Sequence, residues 1–292
     1  MNKAEKISAL AIPVILALAA GLAALLSSHS VWFAGAPLLV WMFVLAFVIQ
    51  WLVFIPSFRK QTEKFFDLTG SVTYLSVVLV PLWLNPESSS RATLVAALVG
   101  LWALRLGSFL FFRIRKDGKD RRFDEIKPSF MRFLMVWTLQ GLWVSVTACC
   151  ALVVLTSKHS EPLGMWALAG TLAWLLGMTI EVVADTQKSR FKANPANRGR
   201  YIDSGLWAWS RHPNYAGEIL LWTGIALIAV PVLQGSQWAA LISPVFVFVL
   251  LRYISGVPML EKRADENWGD QADYQRYKAR TRLLWPIPTR AQ

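Results

Sequence analysis

The sequence predicts an all-α polytopic membrane helix bundle of about eight transmembrane helices, roughly seven to ten at the limits, with both termini cytoplasmic. Three observations carry this. The 292 residues are 55% hydrophobic and only 16% charged, where soluble domains carry about a quarter charged residues. The apolar residues gather in long runs, and about 20 residues of helix cross a bilayer. Positive charge is rich in one set of connections between these runs and sparse in the alternate set.

The first run, ISALAIPVILALAAGLAALLS at 7–27, contains no charge. It exceeds the roughly 7–15 apolar residues of a signal-peptide core. It therefore reads as a first span, 7–28, rather than a leader behind Lys3 and Lys6. The further spans fall at 34–56, 68–84, 92–112, 131–156, 163–186, 214–232 and 236–257. The third is short and carries Pro81. Cys149 and Cys150 are adjacent within the fifth and read as packing residues, since they cannot form a disulfide framework. No repeat stands out, no GxxxG motif marks a helix interface, and 1–292 reads as a single integral membrane domain. The amphipathic tail, 259–292, packs on the cytoplasmic face either as a membrane anchor or as a lid over a site.

One set of connections holds Lys3, Lys6, Arg59, Lys60, Lys64, the cluster from Arg113 to Lys127, the cluster from Lys188 to Arg211, and the basic tail. The other holds only Arg91 and Lys158. The positive-inside rule places the basic set in the cytoplasm. The net charge of +12 then reads as an orientation signal, and no nucleic-acid partner is expected. Trp32, Trp83, Trp207, Trp209 and Trp238 sit near span ends and fit interfacial belts.

Ionisable residues inside spans are costly and line cavities or pair with one another. Arg105 lies in the fourth span, Glu181 and Asp185 close the sixth, and Glu218 opens the seventh. They form either a common polar pocket or structural ion pairs. Glu181 and Asp185 are four apart and share a helix face. The stretch 185–218 then carries six Lys/Arg, three Asn, two Pro and three Gly. Its first part, 185–214, reads as a cytoplasmic cofactor-binding loop. Arg and Lys side chains match phosphate oxygens in charge and geometry, and a carboxylate such as Asp185 suits ribose hydroxyls. The stretch ends in SRHPNYAGE. There Arg211 meets a phosphate or lipid headgroups, His212 orients the loop or touches the cofactor, and Gly217 leaves room for a ligand. Asn214 and Glu218 share a face. His29, His159 and His212 show no metal-ligand spacing, so no metal is expected. A Ser–His–Asp hydrolase has only His212 as its base.

The segment ADTQKSRFKANPANRGRYIDSGLW, followed by SRHPNYAGEILLW, SGVPMLEKR and WPIP, resembles the C-terminal domain of the steroid 5-alpha-reductase family. The similarity is nearest to a bacterial branch known as a domain of unknown function. TEKFFDLTGSVTYL and RIRKDGKDRRFDEIK are similar to that branch as well. The resemblance implies a bundle of transmembrane helices holding NADPH on the cytoplasmic side of a bacterial inner membrane. It implies hydride transfer to an activated C=C bond of a lipophilic, steroid-like or isoprenoid substrate. Carried over residue by residue, Asp185 matches an acidic cofactor ligand, with Glu181 four residues earlier. Lys192 and Arg200 match phosphate ligands, Asn214 and Glu218 match the membrane-entry motif, and Arg105 matches a fourth-span arginine. Arg113, Arg115 and Arg122 match pyrophosphate contacts more loosely.

The chain departs from the steroid-reducing pattern at Gln50–Trp51 and Trp102–Arg105, where a Glu and a Tyr would polarise the substrate carbonyl. The candidate proton donors are then Asp67, Tyr74 and Tyr215. Two alternatives stay open. RHPNYAG also satisfies the RHPxYxG motif of S-adenosylmethionine-dependent isoprenylcysteine and phospholipid methyltransferases. Trp51 and Trp102 fit a non-catalytic lipid-binding relative. The expected partners are membrane lipids and a lipophilic small molecule.

Overall fold

The computed structural model describes residues 2–117 and 120–287, without the side chains of 112–117 and 121. Among these, seven helices are long and apolar enough to cross a membrane, or eight if one bent pair is a single span. The chain is thus a polytopic membrane helix bundle. It divides into two compact units, residues 1–167 with 228–243, and residues 168–227 with 244–292.

The first unit opens with α1 (Lys3–Leu26), whose N-terminus is closed by a reciprocal box between Asn2 and Glu5. A two-residue hairpin follows, β1 (Trp32–Phe33) against β2 (Ala36–Pro37). Ala34 and Gly35 at its tip both have positive φ, 46° and 82°, the pattern of the tight turn that suits strand twist. The hairpin occupies the first residues of the expected second span, so α2 starts at Leu38 (Leu38–Arg59). Helices α3 (Phe66–Leu84) and α4 (Ser90–Asp117) come next. Phe54, Phe123, Phe133 and Trp137 form an aromatic core beside Phe66. The Phe66 ring lies 5.0 Å from Phe123 and 5.1 Å from Trp137, in the offset geometries that aromatic quadrupoles favour.

The expected fifth span is broken. Helices α5 (Phe130–Thr147) and α6 (Cys149–Thr156) meet at Ala148 with a bend of 62°. No Pro or Gly sits at the break. Instead, tertiary hydrogen bonds compensate it: the Ser243 hydroxyl donates to the Thr147 carbonyl, and Cys150 Sγ contacts the Ala240 carbonyl at 3.1 Å. Backbone breaks at membrane depth need such partners.

Arg91, expected as a loop charge, is 1% exposed. Its guanidinium donates to three carbonyls: Nη1 to Ile228 at 2.7 Å, Nη2 to Pro162 at 2.5 Å and Nε to Glu161 at 3.3 Å. It is a clasp for three chain segments rather than an orientation signal.

The second unit is built on α7 (Met165–Ala193) and α8 (Pro213–Ala229). These pack along an antiparallel glycine seam. A Cβ at Gly177 would meet the Gly217 carbonyl at 2.6 Å, and one at Gly224 would meet the Gly170 carbonyl at 2.5 Å. Gly217 therefore admits the α7 backbone, which corrects the expectation that it leaves room for a ligand. Helix α7 runs two turns beyond the expected 186, because nothing breaks it before Asn194. There, the following Pro195 holds Asn194 extended (ψ 117°). Pro213 opens α8 at the position where its missing N–H costs nothing. Helix α9 (Ile242–Val249) ends in a π turn at Leu250–Ile254. The tail then forms two amphipathic helices, α10 (Val257–Trp268) and α11 (Ala272–Arg280), and an extended segment.

Candidate functional site

The tail folds back onto the connection between α7 and α8. Residues 210 and 282 form a parallel bridge. Arg211 N donates to the Arg282 carbonyl at 2.8 Å, His212 N to Leu283 at 3.1 Å, and Ser210 Oγ to Leu284 at 2.6 Å. Tyr277 Oη donates to the Trp207 carbonyl at 2.7 Å, and Trp268 Nε1 to the Gly199 carbonyl at 2.7 Å. SRHP is thus a docking strip for the C-terminal segment.

This docking shapes a half-open cavity of about 310 Å³, at the lower end of the range of ligand pockets. Helix α7 contributes Lys188 and Lys192, four residues apart on one face. The connection contributes Arg200, Tyr201, Trp207, Arg211 and His212. Helices α10 and α11 contribute Glu261, Arg263, Asn267, Trp268, Tyr274 and Tyr277. Five cations thus face one carboxylate. Glu261 takes up part of that charge: Oε1 accepts from His212 Nε2 at 2.8 Å and Oε2 from Arg211 Nη2 at 3.1 Å. Arg211 Nη1 also donates to the Lys278 carbonyl at 2.6 Å. Lys188 lies 4.3 Å from the Trp207 ring centroid, a cation–π distance. Among the described residues, Lys192, Arg200 and Arg263 have no ion-pair partner.

Burial pushes the His212 imidazole below its ordinary value, helped by the charges of Lys188 and Arg211 and opposed by Glu261. The ring is therefore neutral near neutral pH. Burial raises Tyr274 to about 12 and raises Tyr201 and Tyr277 as well. All three phenols are hydroxyls; Tyr277 donates to the Trp207 carbonyl, and Tyr201 and Tyr274 hydrogen-bond Asp273 and Asp265. Arg211 Nε and His212 Nδ1 are buried without a hydrogen-bond partner among the described residues.

A second depression of about 380 Å³ adjoins it and shares Phe191 and Ile202. Its amides are engaged in shaping the loop. Gln187 Oε1 accepts from Leu206 N at 3.0 Å, and Asn197 Nδ2 donates to the Phe191 carbonyl at 2.9 Å.

Of the residues expected from the sequence, Lys192, Arg200, Arg211 and His212 line the cavity together. Glu181 and Asp185 are buried on α7, at 3% and 9% exposure. Asn214, Tyr215 and Glu218 are half-buried at the start of α8. None of these five lines the cavity wall. The Tyr215 ring stacks on His212, 5.7 Å away at 9°. Asp67, Tyr74, Arg105 and Arg122 belong to the first unit. Asp67 is in the first turn of α3, and the Tyr74 ring lies edge-on to Trp102 at 5.0 Å. Arg105 sits over Phe109, and Arg122 pairs with Asp120 at 2.5 Å. The side chains of Arg113 and Arg115 lie outside the described residues. Trp51 Nε1 donates to Thr138 Oγ1 at 3.1 Å. Trp207, expected at an interface, is 3% exposed and donates to the Ala184 carbonyl.

The sequence reading missed Lys188 as an individual wall residue, along with Glu261, Arg263, Trp268, Tyr274 and Tyr277. The faint signal was the amphipathic spacing of Glu261, Ala264 and Trp268. Among the described residues, no cluster of His, Cys, Asp and Glu could hold a metal ion.

A family model described as "Protein of unknown function (DUF1295)" matches residues 53–281. The chain is similar to the uncharacterized protein C594.04c of Schizosaccharomyces pombe, 23% identical over 58% of this chain and 56% of that one. It is also similar to the probable O-methyltransferase ustE of Ustilaginoidea virens, 29% identical over 35% of this chain and 42% of that one. The chain thus spans about half the length of the curated relatives it matches. No solved structure matches it.

Proposed function

The chain belongs to the DUF1295 family, and from that premise we propose that it is a membrane-embedded, NADPH-dependent reductase of an activated C=C bond in a lipophilic substrate. The carrying observation is the cavity wall. Lys192, Arg200 and Arg263 stand there without ion-pair partners among the described residues, next to Trp207, Trp268 and Tyr201. Cations without carboxylates suit phosphate, and aromatic faces suit planar rings. NADPH combines rings with a pyrophosphate and a 2′-phosphate, and when bound it supplies hydride.

The chain's own residues bind and orient. Lys192, Arg200 and Arg263 take the phosphate charge. The rings of Tyr201 and Tyr274 add aromatic faces without adding charge. Glu261 holds Arg211 and His212 in place. Lys192, Arg200 and Arg263 are exposed, so salt screens their attraction for an anion. Tyr215, whose ring stacks on His212 in the same unit, is the proposed proton donor, with the cavity on the cytoplasmic side, where the basic connections lie.

A second reading is S-adenosylmethionine-dependent methyl transfer. The similarity to a probable O-methyltransferase and the RHPNYAG peptide favour it. S-adenosylmethionine carries no phosphate, and the uncompensated cations therefore favour NADPH. Thermal stability of the detergent-solubilised protein tests the choice, because a ligand that binds only the folded state raises it. NADPH is expected to raise the midpoint, and Arg200→Ala to remove most of that rise. A rise with S-adenosylmethionine and none with NADPH reverses the assignment.

A further inference from the structure

The tail carries two different surfaces. On α10 and α11 the exposed side chains include Lys262, Asp265, Glu266, Asp273 and Arg276, a mixture of both signs that belongs in water. The extended segment after α11 is different. Leu284 is buried, whereas Trp285 and Ile287 are 45% and 51% exposed. The level of this segment is fixed by its docking: Ser210, Arg211 and His212 donate to the carbonyls of residues 282–284. Directly after that strip, Pro213 opens a helix long and apolar enough to cross a membrane. Trp209, just before the strip, is exposed as well. The outgoing end of α9 reaches the same level, since a Cβ at Gly256 would stand 2.9 Å from the Tyr215 ring. There Tyr253 and Ile254 are exposed, and the Arg252 guanidinium lies 4.8 Å from the Tyr253 ring centroid. Segments 249–260 and 281–287 carry Arg252 and Arg282 and no carboxylate.

We propose that residues 282–287 form a strap seated on the bilayer: Trp285 and Ile287 enter the headgroup layer of the leaflet that α8 enters, Arg282 meets its anionic lipids, and this seating holds the tail on 210–212. An indole has an apolar body and one N–H donor, which suits that layer. Facing water instead, Trp285 and Ile287 would leave apolar surface uncovered beside a span, where lipid is at hand to cover it. An exposed arginine with no carboxylate in its own segment complements anionic headgroups. The charged outer faces of α10 and α11 offer lipid no such surface. The helices therefore wall the cavity, and the strap is the anchor. The wall that α10 and α11 supply then depends on lipid, whichever ligand the cavity takes.

Cys149 and Cys150 are 0% exposed, so a surface thiol introduced into the full chain takes a nitroxide label selectively. Ile287→Cys places the label on the strap, and Glu266→Cys places it on the exposed face of α10. Both are reconstituted in nanodiscs of phosphatidylcholine, with and without anionic phosphatidylglycerol. Oxygen concentrates in lipid and a nickel chelate in water. The ratio of oxygen to nickel collisions is expected to be several-fold higher at 287 than at 266. Phosphatidylglycerol is expected to raise it further at 287, and Arg282→Gln to remove that gain. Equal ratios at the two sites overturn the proposal. So does a label at 287 shielded from both reagents, because a protein surface such as a second copy then covers the strap. Hydrogen exchange tests the hold on the tail. The Arg211 and His212 amides donate to the strap and are expected to exchange several-fold faster in Trp285→Ser, with Trp285→Tyr restoring part of the protection. Unchanged exchange along α7 and α8 reports that the variant is folded. Equal exchange at 211 and 212 in wild type and Trp285→Ser overturns the hold.

Discussion

Gly177 and Gly217 touch backbone to backbone. A Cβ added at Gly217 would stand 2.5 Å from the Gly177 carbonyl oxygen and 2.7 Å from Glu181 N. Small residues let membrane helices approach closely where no hydrophobic driving force exists. The contact also sets the height of Glu181 and Asp185 against the start of α8.

Gly217→Ala is accordingly expected to destabilise the protein by about 1–3 kcal/mol, because a backbone clash cannot be relieved by a rotamer change. Gly21→Ala is the control. Nothing lies within 4 Å of its new Cβ, so it gains helix propensity of up to about 1 kcal/mol. Denaturation midpoints in one detergent should move in opposite directions for the two variants.

Arg91 satisfies three carbonyls from one buried guanidinium. Arg91→Met is expected to cost about 2–4 kcal/mol, since the carbonyls are left without donors. Arg91→Lys should fall between, because an ammonium lacks the planar fork. Equal midpoints for wild type and Arg91→Met would contradict the clasp.

The pH dependence of stability should carry a His212 signature. Its folded-state value lies below the ordinary 6.5. Between the two values the unfolded chain binds the proton and the folded chain does not. Stability therefore rises with pH in that window and is lost as pH falls from about 6.5 towards the folded value. His212→Asn should flatten this slope relative to wild type, measured by denaturation at about pH 7 and about pH 5.

Phosphate contacts should be salt-sensitive. Arg200→Ala and Lys192→Ala are each expected to weaken NADPH about ten- to a hundredfold, the worth of one charge-assisted hydrogen bond. Both should also shallow the dependence of affinity on ionic strength. Titrations at two salt concentrations check this.

The spans were legible because hydropathy writes them directly: each of the eight expected runs has a helix or bent pair of helices over it. The bend at Ala148 was not, because the groups that bond to its two sides, Ser243 and Ala240, lie far along the chain. Arg91 read as a loop charge because burial against distant carbonyls leaves no local mark. The glycine seam had a trace, Gly170 and Gly177 mirrored by Gly217 and Gly224 at the same spacing of seven, but it fits no GxxxG pattern. At the site, Lys192, Arg200, Arg211 and His212 were legible because they cluster in sequence. Glu261, Trp268 and Tyr277 reach the cavity only once the tail has docked on 210–212.

The central claim is that the cavity between the α7–α8 connection and the tail holds a phosphorylated dinucleotide. Mass spectrometry of the nucleotide carried through purification in mild detergent tests it most directly. The expected species is NADPH or NADP⁺, lost on Arg200→Ala. S-adenosylmethionine or its demethylated product in its place would contradict the claim.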